Sequence, residues 1–373
     1  MKKIICLLLT ISLLFLTACS NENKEDEIKE TIVENKEQIS DINNEYYVNQ
    51  LNDKELRYYE LFKNASVDGN NYIKGSFKFN KNDFNKALKA FSYDYPEYYW
   101  WRNNLSTTYN SSGFETVSSI SKEEINNKIN ELQIKKDEII NLCKDENNYK
   151  TVKNIHDYLV NNVKYDKSDD DAHTIVGSLL KGNAVCDGYS LAYKYLLNEA
   201  GFNCIVIEGQ AIENKDLVEH AWNCVELNNE WYEVDATWDD ASSKEDNLNI
   251  VYDYFLINSK MLNNDHFPIE DFVYPECKDD SLLYINSAGK YFDIYDFDEI
   301  SEYISKWIEN GYYDFYLRFN NYEDGLLAYT ELLENNKFAD IFKQTKKNFN
   351  IGYSGEFNPN SCVLHINYSN EED

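Results

Sequence analysis

The sequence predicts an α+β fold in which a helix that begins at a cysteine is followed by strands, two of them joined as a hairpin, with small α/β domains on either side. Three observations lead there. An apolar run, Ser190 to Ala200, follows directly on Gly182-Asn183-Ala184-Val185-Cys186-Asp187-Gly188-Tyr189 and reads as a helix with Gly201 past its end. Strand-like segments come next at Asn203–Gly209, His220–Leu227 and Glu230–Asp235, the last two joined by Asn228-Asn229. Before and after this block, segments of helical and strand periodicity alternate, as expected of small α/β units.

Taken in order, the chain begins MKKIICLLLTISLLFLTACS. Lys2 and Lys3 precede an apolar stretch, Ile4–Leu16, that is short for a membrane span. Leu16-Thr17-Ala18-Cys19 is similar to the lipobox of bacterial lipoproteins, which implies cleavage after residue 18 and lipidation of Cys19. The Asn-, Glu- and Lys-rich stretch that follows, to about Asn44, reads as a solvated tether. A bilayer anchor through Cys19, on the extracytoplasmic face of a bacterial membrane, is the expectation.

Charge narrows the partners. With 36 basic and 66 acidic residues the chain is formally at −30, which argues against nucleic acid, since phosphate backbones are held by surplus Lys and Arg. Neutral or basic partners meet less repulsion. The 31 Tyr and 19 Phe are enough to fill several cores.

Asp53 is a candidate cap for a helix through Phe62, Phe77-Lys78-Phe79 reads as a strand, and Phe84, Ala87, Leu88 and Phe91 share one helix face. Tyr95-Pro96-Glu97-Tyr98-Tyr99-Trp100-Trp101 reads as aromatic core or interface packing. Ser121 and Glu124 form a capping box for a helix carrying Ile125, Ile129, Leu132, Ile139 and Cys143. A second helix, about Lys150 to Val163, turns Val152, Ile155, Leu159 and Val163 inward. Beyond Ser281 the expected elements are a strand near Leu282–Ile285, a helix at Asp298–Glu309 stopped by Gly311, a strand at Tyr313–Phe319, a helix near Glu323–Lys343 and a strand at Cys362–Ile366.

The block from His173 to Asp240 carries the chemistry. Cys186 lies at a helix N-terminus, where unpaired backbone N–H groups and the positive end of the dipole favour thiolate over thiol. Asn tolerates the positive φ of a two-residue hairpin loop, so Leu227 should face Glu230, His220 should oppose Thr237, and Asp235 should oppose Trp222. Alternation then puts His220 and Asp235 on one face as diagonal neighbours, roughly 7–8 Å apart or less at Cβ. A thiol nucleophile needs this trio: an imidazole to take and return the proton, and a carboxylate to orient the imidazole.

Cys186-Asp187-Gly188-Tyr189, His220-Ala221-Trp222-Asn223 and Asp235-Ala236-Thr237-Trp238 resemble the three signatures of the transglutaminase-like superfamily. Val163-Lys164-Tyr165-Asp166 and Ser178-Leu179-Leu180 fit its bacterial lead-in. The resemblance spans roughly Thr151 to Asp240 and implies a papain-like, transglutaminase-like cysteine core. It implies Cys186 as nucleophile, His220 as base and Asp235 as orienting carboxylate. The Cys186 N–H is the expected oxyanion donor, with Tyr165 a candidate second. Asp94-Tyr95-Pro96-Glu97 is reminiscent of the N-terminal extension of surface members from low-GC bacteria.

The resemblance leaves hydrolysis and transamidation of protein or peptide amides both open, and beside them a non-catalytic scaffold lipoprotein that keeps the fold. No cofactor or metal site is expected. Animal relatives use calcium, but Asp169-Asp170-Asp171 and Asp239-Asp240 lack spaced ligands and a turn glycine, and read as solvated acidic loops. His156, His173, His266 and His365 have no evident partner in the sequence and read as structural or surface residues. The expected organisation is 1–18 signal peptide, 19–45 lipidated Cys19 and tether, 46–120 N-terminal α/β region, 121–275 transglutaminase-like core and 276–373 C-terminal α/β domain.

Overall fold

A computed structural model of the chain describes residues 45–373, apart from 103–104, 214, 241–249, 284–287, 346–350 and 371–373. The expected signal peptide, Cys19 and nearly all of the expected tether lie outside the described residues. Among the described residues no helix is long and apolar enough to cross a membrane.

The N-terminal region holds α1 (Asp53–Val67), β1 (Tyr72–Gly75), α2 (Lys81–Asp94), β2 (Leu105–Tyr109) and β3 (Phe114–Ser118), with the strands ordered β1-β3-β2. Asn52, one residue before the expected cap, starts α1. Its side chain accepts from Lys54 and Glu55 N–H, and Glu55 reaches back to the Asn52 N–H at 2.9 Å. Phe77 and Phe79 are not in a strand. Both rings enter one aromatic cluster with Tyr58, Phe84 and Phe114, so their period-two spacing reflects shared packing. Tyr99, Trp100 and Trp101 are buried, and the indoles donate to Asn70 O and Ser66 Oγ.

The central region opens with α3 (Lys122–Cys143), capped by Ser121, and α4 (Asn148–Asn162). A short parallel pair, β4 (Lys164–Tyr165) with β5 (Asn183–Ala184), leads into α5 (Cys186–Glu199). Then come β6 (Cys204–Glu213), β7 (Asp216–Leu227), β8 (Glu230–Val234), β9 (Phe255–Ile257), α6 (Ser259–Leu262) and β10 (His266–Pro268). The sheet order is β10-β6-β7-β8-β9, antiparallel throughout. α5 lies on β6 and β7 and is buried from Gly188 to Leu197, more completely than an amphipathic surface helix would be.

One buried residue, Asp94, joins the N-terminal region to this helix. Asp94 accepts from the Tyr47 and Val48 N–H groups at 3.0 Å and from Tyr59 O–H at 2.8 Å, while Lys194 of α5 donates to the Asp94 carbonyl. Burial pushes the Asp94 carboxyl up to about 6.

The C-terminal region holds β11 (Ala288–Phe292), α7 (Phe297–Glu309), β12 (Asp314–Phe319), α8 (Tyr322–Tyr329), α9 (Lys337–Gln344), β13 (Ile351–Asn358) and β14 (Val363–Asn370). Its sheet runs β11-β12-β14-β13, with only the first pair parallel. Leu282 and Leu283 lie in a turn and Ile285 is outside the described residues, so the first strand comes later than expected. The single helix expected at Glu323–Lys343 is divided: a wide turn at Thr330–Glu334 follows α8, and Asn336 adopts φ +59° before α9 starts.

Candidate active site

Cys186 opens α5 behind Val185, an extended residue that offers no side-chain cap. Among the six described cysteines it is the partly exposed one; the other five are buried. Gly188 permits the first turn to approach residue 172, because a Cβ there would lie 2.3 Å from the Ala172 carbonyl oxygen. Asp187 is held by Arg102 Nη2 at 2.8 Å and by His173 Nδ1 at 2.9 Å, which ties the N-terminal region to the start of this helix.

The helix is fixed against the sheet by Asn223 of β7. Its side-chain amide donates to Ser190 O at 2.9 Å and to Ile205 O at 3.0 Å, thereby linking α5, β6 and β7. His220 lies three residues earlier on the same strand. Asn228 and Asn229 have φ of +58° and +66°, so the hairpin loop is the one their tolerance of positive φ predicts. Leu227 faces Glu230, and the ladder continues to Asn223 opposite Val234. There it stops: the Asp235 N–H turns to Tyr254 O, so the expected pairs at Asp235 and Thr237 are not ladder pairs. The side chains meet nonetheless, with His220 Nε2 2.6 Å from Asp235 Oδ2.

That bond leaves His220 Nδ1 free of Asp235, and Cys186 is among the groups that raise the imidazole. The Trp222 and Trp238 rings lie 6.2 and 5.1 Å from the imidazole between centroids. Asp235 Oδ1 accepts from the Thr237 and Trp238 N–H groups at 2.9 and 3.2 Å. Its Oδ2 also meets His266 Nε2 at 3.1 Å. Sequence reasoning missed this second imidazole. Its strand is three residues long and no chemical motif surrounds it; the adjacent Asp265, 2.6 Å from His266 Nδ1, was the only local signal.

Burial alone would strip the proton from either imidazole, but the Asp235 charge outweighs it and pushes His220 up to about 9. His266, between Asp235 and Asp265, is likewise raised to about 9 against its burial. Asp235 is itself buried, yet the two imidazoles hold its carboxyl well below the usual range. Both imidazoles thus bind protons more tightly folded than unfolded. Their stabilising contribution is complete below the ordinary value of 6.5 and is lost as pH rises through about 9. Asp235 has the opposite sign, contributing above its ordinary value of 3.8 and losing that contribution in acid. Urea midpoints should therefore be highest between about pH 4 and 6.5 and fall towards pH 9, with a slope approaching about two protons. In Asp235→Asn that fall should largely vanish; a flat wild-type midpoint over this range would contradict the assignment.

The remaining histidines are placed away from Cys186 or act indirectly. His156 is buried between Asp157 and Asp239, both at 3.1 Å; His365 pairs with Asp314; His173, more than half exposed, holds Asp187. The expectation of solvated acidic loops fails at Asp239 and Asp240. Both are buried, bonded to His156 and to the Tyr189 hydroxyl, because the chain turns inward after Asp235. Asp169 and Asp171 both bind Lys181. These carboxylates are drawn into internal bonds.

Two buried sets have metal-ligand reach among the described residues: His220, Asp235 and His266, and Cys224, Glu233 and Cys277. In the first, the donor atoms already bond one another. In the second, the sulfurs lie 3.4 Å apart and Glu233 accepts from Trp222, Ser259 and Cys224, leaving a closed site short of the four ligands of structural zinc.

A central helix with Cys at its start packs on an antiparallel sheet that presents His and Asp. Residues 137–236 match the Transglutaminase-like superfamily. Kyphoscoliosis peptidase of Mus musculus is 31% identical over an alignment of 100 residues that covers 22% of this chain and 14% of that protein. The chain therefore spans only a small part of the length of this curated relative. A solved cysteine protease candidate from Cytophaga hutchinsonii is 23% identical with a TM-score of 0.26, covering 29% of this chain and 37% of that one. A solved structure described as a TGase is 17% identical, with a TM-score of 0.25 and coverage of 44% and 50%.

Proposed function

We propose that the protein is a thiol enzyme of the cell surface that acts on amide bonds of proteins or peptides through an acyl-enzyme on Cys186. The observation that carries this reading is the approach of His220, bonded to Asp235 at 2.6 Å, to a cysteine at an uncapped helix N-terminus. The thiol proton passes to His220 Nδ1 and the thiolate attacks the amide carbonyl. The tetrahedral oxyanion collapses as the imidazolium protonates the departing amine. Attack of water on the thioester completes hydrolysis, and attack of a second amine completes transamidation. The Cys186 N–H is one oxyanion donor. Tyr165 is the second: burial and the neighbouring Cys186 raise its phenol to about 12, so it keeps a proton to donate.

The test is alkylation of Cys186 by iodoacetamide across pH, with the modified site mapped by mass spectrometry. An imidazole-activated thiol reacts well below pH 8. A Cys186 that stays inert until about pH 8.5, the range of an ordinary thiol, ends the reading.

The same proposal places the protein on the extracytoplasmic membrane face through lipid on Cys19. Cys19→Ala should abolish acylation and move the protein out of the detergent-extracted membrane fraction, or leave an unprocessed precursor. Continued acylation and cleavage before position 19 would refute the anchor.

A further inference from the structure

The bonds around His266 require a charge. Its Nε2 faces Asp235 Oδ2 at 3.1 Å and its Nδ1 faces Asp265 Oδ1 at 2.6 Å. Asp265 Oδ2 accepts the Tyr254 hydroxyl at 2.6 Å, which leaves Oδ1 to face the imidazole. Asp235 is filled in the same way, by two backbone N–H groups on Oδ1 and two imidazoles on Oδ2. A neutral imidazole has a single N–H and would turn a lone pair on one of these oxygens. Between two ionised carboxylates the ring fits only with both nitrogens protonated.

We propose that His266 is a positioning residue for the Cys186–His220–Asp235 site: an imidazolium locked between two carboxylates that holds the Asp235 carboxylate in place and shares its charge with His220. The inference rests on the catalytic reading of Cys186 given above. It completes an alternation of carboxylates and imidazoles, Asp265, His266, Asp235 and His220, that ends at Cys186.

The other groups facing His266 do not disturb this alternation. Tyr254 is raised well above its ordinary range, first by burial, and stays a neutral donor. Glu233 on β8 is raised by burial and already accepts from Cys224, Ser259 and Trp222. Arg318 of β12 lies over the far Tyr254 ring, 5.9 Å from its centroid. The remaining neighbours, Trp222 and Trp238, are neutral rings at 5.0 and 4.6 Å between centroids.

The consequence for the reaction has a definite sign. Two cations compete for one carboxylate, so the His266 charge reduces the hold of Asp235 on the His220 proton. An Asp235 left to His220 alone would keep that proton to higher pH. The resulting imidazolium would be a poorer acid towards the departing amine, and its paired thiolate a weaker nucleophile.

The pH profile of Cys186 alkylation reads this without a known substrate. His266→Gln keeps a neutral donor for Asp235 and removes the charge; its upper inflection, where His220 gives up its proton, should move upward by about one pH unit. Asp265→Asn frees His266 to be neutral while leaving it in place, and should move the inflection in the same direction by less. It also serves if His266→Gln does not fold. An unchanged inflection in a folded variant, a downward shift, or an equal loss of rate at every pH would overturn the proposal. Wild-type Cys186 that fails to react below pH 8 would instead remove the catalytic reading itself, so the two failures are distinguishable.

Discussion

Cys186→Ala should reduce amide turnover by about 10⁴-fold or more while leaving the fold intact. Removing one partly exposed sulfur at a helix start opens no large cavity, so the thermal midpoint should stay within about 2 °C of wild type. Mass spectrometry of any peptide that the wild type cleaves or couples to a labelled amine reads the activity. His220→Ala should lose nearly as much. Combining the two should add little, because nucleophile and base act as one unit and removing either already removes the acyl-enzyme route. A double variant slower than Cys186→Ala by a further large factor would assign the residues independent roles. Full turnover by a folded Cys186→Ala protein would end the nucleophile assignment.

The parts of the fold legible in the sequence are those set by local rules. The Asn228-Asn229 loop fixed the register from Leu227–Glu230 to Asn223–Val234, and with it the shared face of His220 and Asp235. Gly201 and Gly311, at φ of +94° and +87°, ended their helices where the pattern predicted. Failures came where local signal and tertiary packing diverge. Phe77 and Phe79 alternate like strand residues because one cluster receives both rings. The strand Ile351–Asn358, with two glycines and little apolar alternation, gave the sequence nothing to detect, yet it pairs along its whole length with Val363–Asn370.

The site divides in the same way. Cys186 opens one helix, His220 lies on one strand of a hairpin and Asp235 just past the other, so local motifs mark all three. His266 reaches Asp235 only because β10 adds to the far edge of β6, a pairing between segments more than fifty residues apart. Gly209 makes that approach possible: a Cβ on it would lie 2.3 Å from the Phe267 carbonyl oxygen. The Asp187 clamp is another long-range feature, since Arg102 comes from a region that carries none of the three site motifs.

Asp235→Asn should be nearly as damaging as loss of the nucleophile, and for two separable reasons. The first is charge: a neutral amide cannot stabilise the His220 imidazolium, so the thiolate–imidazolium pair forms poorly near neutral pH. By analogy with carboxylate-to-amide changes at serine triads, a loss of about 10³–10⁴-fold in turnover is expected. The second is hydrogen bonding. Every partner of Asp235 is a donor: Thr237 N–H, Trp238 N–H and the two imidazoles. An Asn side chain has one accepting oxygen and one donating NH₂. With its oxygen on the backbone pair, the NH₂ faces two imidazole nitrogens and must force at least one of them to shed a proton. With its oxygen on the imidazoles, the NH₂ faces two buried backbone N–H groups. Either way a buried donor is left without an acceptor, at a cost of about 1–3 kcal/mol. The variant should therefore lose both turnover and thermal midpoint, and Cys186 alkylation should move towards the pH range of a free thiol. Asp235→Ala removes the charge and leaves the same donors without an acceptor, but does not oppose donor to donor. It should match Asp235→Asn in lost turnover and leave the alkylation profile similarly displaced. A wild-type alkylation profile in either variant would show that Asp235 does not govern the Cys186–His220 pair.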